Sequence, residues 1–206
     1  MLLIIGNKNY SSWSLRPWLA MKVHGVPFDE KRIHLYASDS KPKILRYSPA
    51  GKVPVLHDGP TVVWDSLAIL EYLAERQPRL WPRAPAERAR ARAIAAEMHA
   101  GFASLREHMS MNVRKRYPGK GRTPEVLADI ARITAIWAEA KGPFLFGEFT
   151  AADAMYAPVV LRFRTYAVEG PNRRYMDAML ALPAMREWIE AAEREPESIP
   201  GLDLYE

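Results

Sequence analysis

An α/β unit followed by an all-helical second half is the fold class this chain predicts. Three observations carry the prediction. Strand, helix, strand and hairpin signals, then another helix, follow one another as far as Gln77. Pro78, Pro82 and Pro85 then interrupt every periodicity. Beyond them, apolar residues recur only at helical spacing. A chain of 206 residues can bury a substantial core as one large domain or two small ones. The expected division is an α/β domain over residues 1–78, a linker over 79–86 and a helical domain over 87–206.

Residues 2–5 are a short apolar run ending at Gly6, which predicts a buried strand. Residues 15–24 predict a helix, closed by Gly25 with Pro27 beyond it. Ser14 is the cap that best suits Pro17, since proline is harmless in a first turn and removes a hydrogen bond later. Residues 28–35 alternate as a second strand. Residues 53–57 and 61–64 predict a hairpin with its turn at Asp58-Gly59. Leu67, Leu70 and Leu73, flanked by Ile69 and Tyr72, then line one face of a helix.

In the second half, residues 86–109 read as one long helical segment with Ile94, Met98, Phe102, Leu105 and Met109 on its apolar side. Thr123-Pro124 is a start signal and Lys141-Gly142-Pro143 a stop. Val126, Leu127, Ile130, Ile133 and Trp137 make the buried face between them. Thr150 and Asp153 predict a capping box opening the segment that runs to Tyr166. A last helix is expected from Leu182-Pro183 through Trp188 to about Glu193.

Composition narrows the function classes. The 29 Lys and Arg against 24 Asp and Glu give +5, but the charges are scattered, and only Arg114-Lys115-Arg116 clusters. No nucleic-acid partner is expected. No apolar run approaches the roughly 20 residues that span a bilayer, and residues 1–5 turn polar too soon for a signal peptide. The expectation is a cytoplasmic protein that does not bind membranes. There is no cysteine, so any thiol chemistry must enter with a ligand. The five histidines show no metal-ligand spacing with acids, and no metal is expected.

The chemistry concentrates in residues 48–73. Val53-Pro54 stands after a Gly-Lys turn at the mouth of a strand, where an X-Pro bond is a candidate for cis. Such a bend aims the Val53 N–H and C=O away from the sheet, toward a peptide-like ligand. Asp65-Ser66 opens a helix whose unpaired N–H groups attract a carboxylate. The pattern predicts one ligand with an amide and a free carboxylate.

With Ser48-Pro-Ala-Gly-Lys-Val-Pro54, Asp65-Ser66-Leu-Ala-Ile69 and Gly147-Glu-Phe-Thr-Ala-Ala-Asp153 in this order, the chain resembles the cytosolic glutathione transferases over nearly its whole length. The resemblance implies a thioredoxin-like glutathione-binding domain and a helical domain shaping a pocket for an electrophile. It implies that Val53, beside Pro54, pairs with the cysteinyl part of glutathione. Asp65 would then meet the γ-glutamyl ammonium, Ser66 the α-carboxylate and Lys52 the glycine carboxylate. It also implies a homodimer and a detoxifying transferase, with glutathione as co-substrate.

A thiol with a pKa of about 8.5 is only a few per cent ionised at neutral pH, so the enzyme must stabilise the thiolate. Tyr10, Ser11, Ser12 and Ser14 are the hydroxyls available in the loop after the first strand. Tyr10-Ser11-Ser12-Trp13-Ser14-Leu15-Arg16 looks most like the bacterial zeta-type serine enzymes, which implies Ser11 as the thiolate's hydrogen-bond donor and Ser12 as its assistant. Two departures stand out. Trp13 replaces the cysteine usual in that type, and Asp65 replaces a glutamine. Trp13, His99, Phe102 and Arg106 are the residues expected to shape the electrophile pocket, with His99 and Arg106 on one helix face to receive an anionic or polarised group. Glutathione-dependent isomerisation of maleylacetoacetate-like acids, and a non-catalytic binding or scaffold role, are the alternatives to transferase chemistry.

Overall fold

In the computed structural model, which describes residues 1–170 and 172–205, the first half comprises β1 (Leu2–Ile5), α1 (Ser12–Val23), β2 (Asp29–Arg32), α2 (Ser40–Leu45), β3 (Val55–Asp58), β4 (Thr61–Trp64) and α3 (Ser66–Ala74). The sheet order is β2-β1-β3-β4, with β1 parallel to β2 and antiparallel to β3, and β3 antiparallel to β4. The parallel pair requires a crossover, which α1 supplies. This is a thioredoxin-like unit. β1 is apolar because it is central, and β2, Asp-Glu-Lys-Arg, is charged because it is an exposed edge. Asp58 pairs with Thr61, so the hairpin loop is Gly59-Pro60, one residue later than expected. Gly59 takes φ +57°, the conformation for which such a loop selects glycine.

The helix α1 begins three residues before the start that Pro17 suggested, with Ser11 rather than Ser14 at the cap position. Leu15 N donates to Ser11 O at 3.2 Å, and Pro17 sits inside the helix. The missing bond to the Trp13 carbonyl is tolerated because nearly the whole helix is buried, packed on α3 and on helices of the second half.

A short 3-10 turn (Pro78–Leu80) leads to α4 (Pro85–Ala100), α5 (Ala103–His108), α6 (Pro124–Ala138), α7 (Ala151–Tyr166), α8 (Arg173–Ala181) and α9 (Pro183–Glu193). The expected single helix over residues 86–109 is therefore two. It breaks at Gly101, where a Cβ would meet Glu97 O at 2.8 Å, and Phe102 follows in the left-handed region at φ +59°. The α8 helix was not anticipated; Tyr175 and Met179, one turn apart, are its buried anchors in a segment otherwise rich in charge.

One apolar core runs through both halves, with α7 buried along almost its full length against α1 and α4. Its start is the capping box at Thr150 and Asp153. The Asp153 carboxylate accepts from Thr150 N at 2.8 Å, Thr150 Oγ1 at 2.9 Å and Leu145 N at 3.0 Å. Trp18 and Trp188 pack at 5.1 Å, with Lys8 Nζ over both rings and its charge met by Glu30 at 2.7 Å. The loop after β1 is thus fixed from both halves of the chain.

Candidate active site

A cavity of about 950 Å³ lies where the serine loop, the β3 approach and the α3 start face α4, α5 and α7. Ser11, Ser12, Trp13, Lys52, Val53, Pro54, Asp65, Ser66, His99 and Arg106 all line it. Phe102 does not. The break at Gly101 turns its side chain into the core, where it is 8% exposed, and this removes it from the expected pocket wall.

The first end of the cavity is mostly backbone. Val53-Pro54 is cis, as expected from its position. Val53 precedes β3, and neither its N–H nor its C=O bonds to another described residue, so both are available to an extended ligand. Asp65 takes φ +77° and ψ 141°, a conformation costing a non-glycine residue about 1–3 kcal/mol and found where a site dictates it. Its Oδ1 caps α3 by accepting from Leu67 N at 2.8 Å, while Oδ2 lies 3.4 Å from His99 Nε2. The Ser66 N–H opens the helix without an acceptor among the described residues, at the positive end of the dipole. An ammonium and a carboxylate would find opposite charges within two residues.

The four hydroxyls of the serine loop have separate fates. Tyr10 Oη donates to Asp203 at 3.0 Å and accepts from Ile199 N at 3.2 Å, so it is committed elsewhere. Ser14, fully buried, accepts from Gly6 N at 3.1 Å and is bonded by Ser11 Oγ at 2.7 Å. Ser12, on the first turn of α1, has a hydroxyl with no bonding partner among the described residues. Only Ser11 and Ser12 combine a hydroxyl with a place on the cavity wall and at the N-terminus of α1.

The second end is cationic. Trp13 stands with the Arg16 guanidinium 4.2 Å and the Arg106 guanidinium 4.8 Å from its ring, and with His99 edge-on at 5.3 Å. Arg106 is bent back by the break before α5. Its Nε donates to Gly101 O at 3.1 Å and its Nη2 to Met98 O, capping α4, while Nη1 has no acceptor among the described residues. Arg16 is wholly buried, donates from Nη1 to Ser66 Oγ at 3.3 Å, and finds no partner for Nε and Nη2 among the described residues. Burial lowers its pKa well below the usual arginine value, and the nearby Arg106 and Arg162 lower it further. Arg162, buried on α7 and bonded through Nε to Met109 O at 2.8 Å, is pulled down to about 9 by burial and Arg106. Arg162 was not anticipated as a wall residue; the two arginines, Arg162 and Arg164, inside the otherwise apolar run 155–166 were the available signal. Leu202 was also missed, since nothing local in its sequence links it to the site.

Comparison with known proteins shows the family and the fold. The model of the glutathione S-transferase N-terminal domain matches residues 10–76, and that of the C-terminal domain matches residues 85–191. A protein from Caenorhabditis elegans described as "Probable maleylacetoacetate isomerase" is 29% identical over 156 residues, 72% of each chain. A glutathione transferase homolog from Burkholderia, solved with bound glutathione, has a TM-score of 0.72 at 20% identity, over 94% of this chain and 98% of that one. A maleylacetoacetate isomerase from Methylobacterium extorquens AM1, solved with malonate and GSH, has a TM-score of 0.71 at 22% identity, over 97% and 100%.

Proposed function

The chain belongs to the glutathione S-transferase family, and on that premise we propose that it is a glutathione transferase, ionising the thiol of bound glutathione for attack on a small electrophile. The observation that carries this is the convergence on one cavity of the cis Val53-Pro54 turn, the Asp65-Ser66 helix start and the Ser11 and Ser12 hydroxyls. A scaffold that binds only a protein partner has no use for all three.

In this reading Val53 pairs with the cysteinyl backbone, Asp65 takes the γ-glutamyl ammonium and Ser66 its α-carboxylate. Lys52, exposed at the rim, takes the glycine carboxylate. The sulfur then lies by the serine loop. A thiolate is a stronger acceptor than a hydroxyl, so Ser11 O–H turns to the sulfur while Ser14 O–H donates to Ser11. The 2.7 Å contact between the two oxygens serves either direction. The Gly6 N–H on Ser14 completes a chain in which each bond polarises the next. Ser12 and the positive end of α1 assist. The sulfur attacks an electrophilic carbon, an S–C bond forms, the leaving group departs with its electron pair, and the thiol proton goes to solvent.

Two outcomes test the binding half. The protein should be retained on immobilised glutathione and released by the free tripeptide. Asp65→Ala should weaken binding by roughly ten- to a hundredfold, the range for losing a charge-assisted bond. Passage through the column without retention would leave the scaffold reading standing instead.

A second reading shares the same thiolate: isomerisation of a maleylacetoacetate-like acid. The wall formed by Arg106 and Arg162 favours it, since an anion there would meet two guanidinium groups. Arg106→Gln should raise KM for a maleyl acid roughly tenfold and leave KM for a neutral aryl halide nearly unchanged. Equal effects on both would argue that Arg106 acts only as the cap of α4. The division at residues 79–86, a homodimer, a cytoplasmic location and a role in detoxification belong to the same proposal. Light scattering in solution tests the dimer directly.

A further inference from the structure

The chain beyond α9 returns to the serine loop and grips it. Asp203, 7% exposed, accepts from Tyr10 Oη at 3.0 Å, from Asn112 Nδ2 at 2.6 Å and from Ser198 Oγ at 2.5 Å. Tyr10 Oη in turn accepts from Ile199 N at 3.2 Å and from Arg114 Nη2 at 3.3 Å. Arg114 also donates to Glu197 O at 2.6 Å and to Glu195 O. The Glu195 carboxylate accepts from Lys8 N at 2.7 Å and Asn9 N at 3.1 Å. Every residue from Lys8 to Tyr10 is therefore tied to the far end of the chain, immediately before Ser11.

From this geometry we infer that residues 195–203 form a clasp that sets the serine loop, with Asp203 as a positioning residue acting through the Tyr10 hydroxyl. The inference rests on the proposed role of the loop serines in holding the thiolate. Three features favour a working clasp over ordinary packing. Its centre is a buried carboxylate without a direct cationic partner among the described residues, an arrangement kept where its bonds are made. Tyr10 is adjacent to Ser11, and a tyrosyl held at its tip fixes the backbone from which that serine springs. The same segment brings Leu202 to the cavity wall, anchored by Ser110 Oγ on Leu202 O at 2.6 Å. Thiol alignment and the electrophile's space are thereby set by one strap.

The thiol is the reporter. Its ionisation in the binary complex is followed by thiolate ultraviolet absorbance against pH, with kcat and KM for glutathione measured using an aryl halide. Tyr10→Phe keeps the ring and removes the oxygen. It should cut the neutral-pH thiolate fraction and kcat by roughly tenfold or more, because small misplacements of a reacting group are expensive in rate, while KM for glutathione changes little. Asp203→Ala should do the same, and Asp203→Asn, whose amide oxygen still accepts from Tyr10, should restore most of the loss. A purely structural bond would lower the melting temperature and leave the thiol titration alone. If Tyr10→Phe leaves it unchanged while Ser11→Ala moves it, the clasp inference is wrong and the serine reading survives. If Ser11→Ala and Ser12→Ala both leave it unchanged, the serine reading fails and the clasp with it. Should Asp203→Ala not fold, Tyr10→Phe decides the question alone.

Discussion

Ser11→Ala is expected to lower kcat/KM at pH 7 by up to about twentyfold, with a much smaller effect above pH 9. A hydrogen bond to a charged acceptor contributes about 1.5–3 kcal/mol. Moving a thiol from a pKa of about 8.5 to about 6.5 takes roughly 2.7 kcal/mol, so one such bond, with α1's N-terminal field, accounts for the shift. Without the donor, most of the thiol stays protonated until the solution itself ionises it. The loss therefore shrinks as pH passes the unaided pKa. Ser12→Ala should cost about tenfold or less, as an assisting donor. Ser14→Ala should fall between them, because it removes the hydroxyl that takes over Ser11's bond. Thiolate absorbance in the glutathione complex, titrated for all three variants, provides the check. An unchanged titration in Ser11→Ala with turnover intact would assign the thiol to another donor, and Ser12, whose hydroxyl is unpaired, would be first in line.

The parts of the fold and of the site that were legible in the sequence are those written in local chemistry. A proline between valines at a strand mouth, an acid and a serine at a helix start, and a proline after a threonine each signal their own geometry within a few residues, and the structure carries all three. Where reading failed, the deciding forces were long-range. Pro17 argued locally for a helix cap at Ser14, but the packing of α1 against both halves outweighs one lost hydrogen bond. Helical periodicity runs straight through Gly101 and Phe102, and it placed Phe102 in the pocket; the break that removes it also folds Arg106 back onto α4. Tyr10 offered the same hydroxyl as its serine neighbours until residue 203 was seen bonding to it across the fold. Local rules located the ligand's anchoring points, and tertiary contacts decided which side chains remained free to use.

Asp153→Ala is expected to destabilise the protein by about 2–5 kcal/mol while leaving the geometry of the glutathione cradle intact in the folded fraction. The carboxylate is wholly buried and accepts from Thr150 N, Thr150 Oγ1 and Leu145 N. Alanine strands two backbone donors away from water, each at about 1–3 kcal/mol. It also uncaps α7, the helix on which α1 and α4 pack. Asp153→Asn keeps one acceptor oxygen and should lose less. It also provides the pH control. Burial raises the Asp153 pKa from the usual 3.8 to about 6, against the opposing pull of the Leu145 and Thr150 donors. The folded form thus holds its proton to a higher pH than the unfolded chain does. By linkage, the stability tied to that proton is fully present below about pH 4 and is lost as pH rises through 6. Urea melts of the native protein and Asp153→Asn from pH 4 to 8 should show the native advantage narrowing as pH rises. An advantage that grows with pH would mean that the three donors outweigh burial and that the carboxylate is charged throughout. In that case Asp153 would cap α7 as an anion, and the penalty for Asp153→Ala would lie at the upper end of its range.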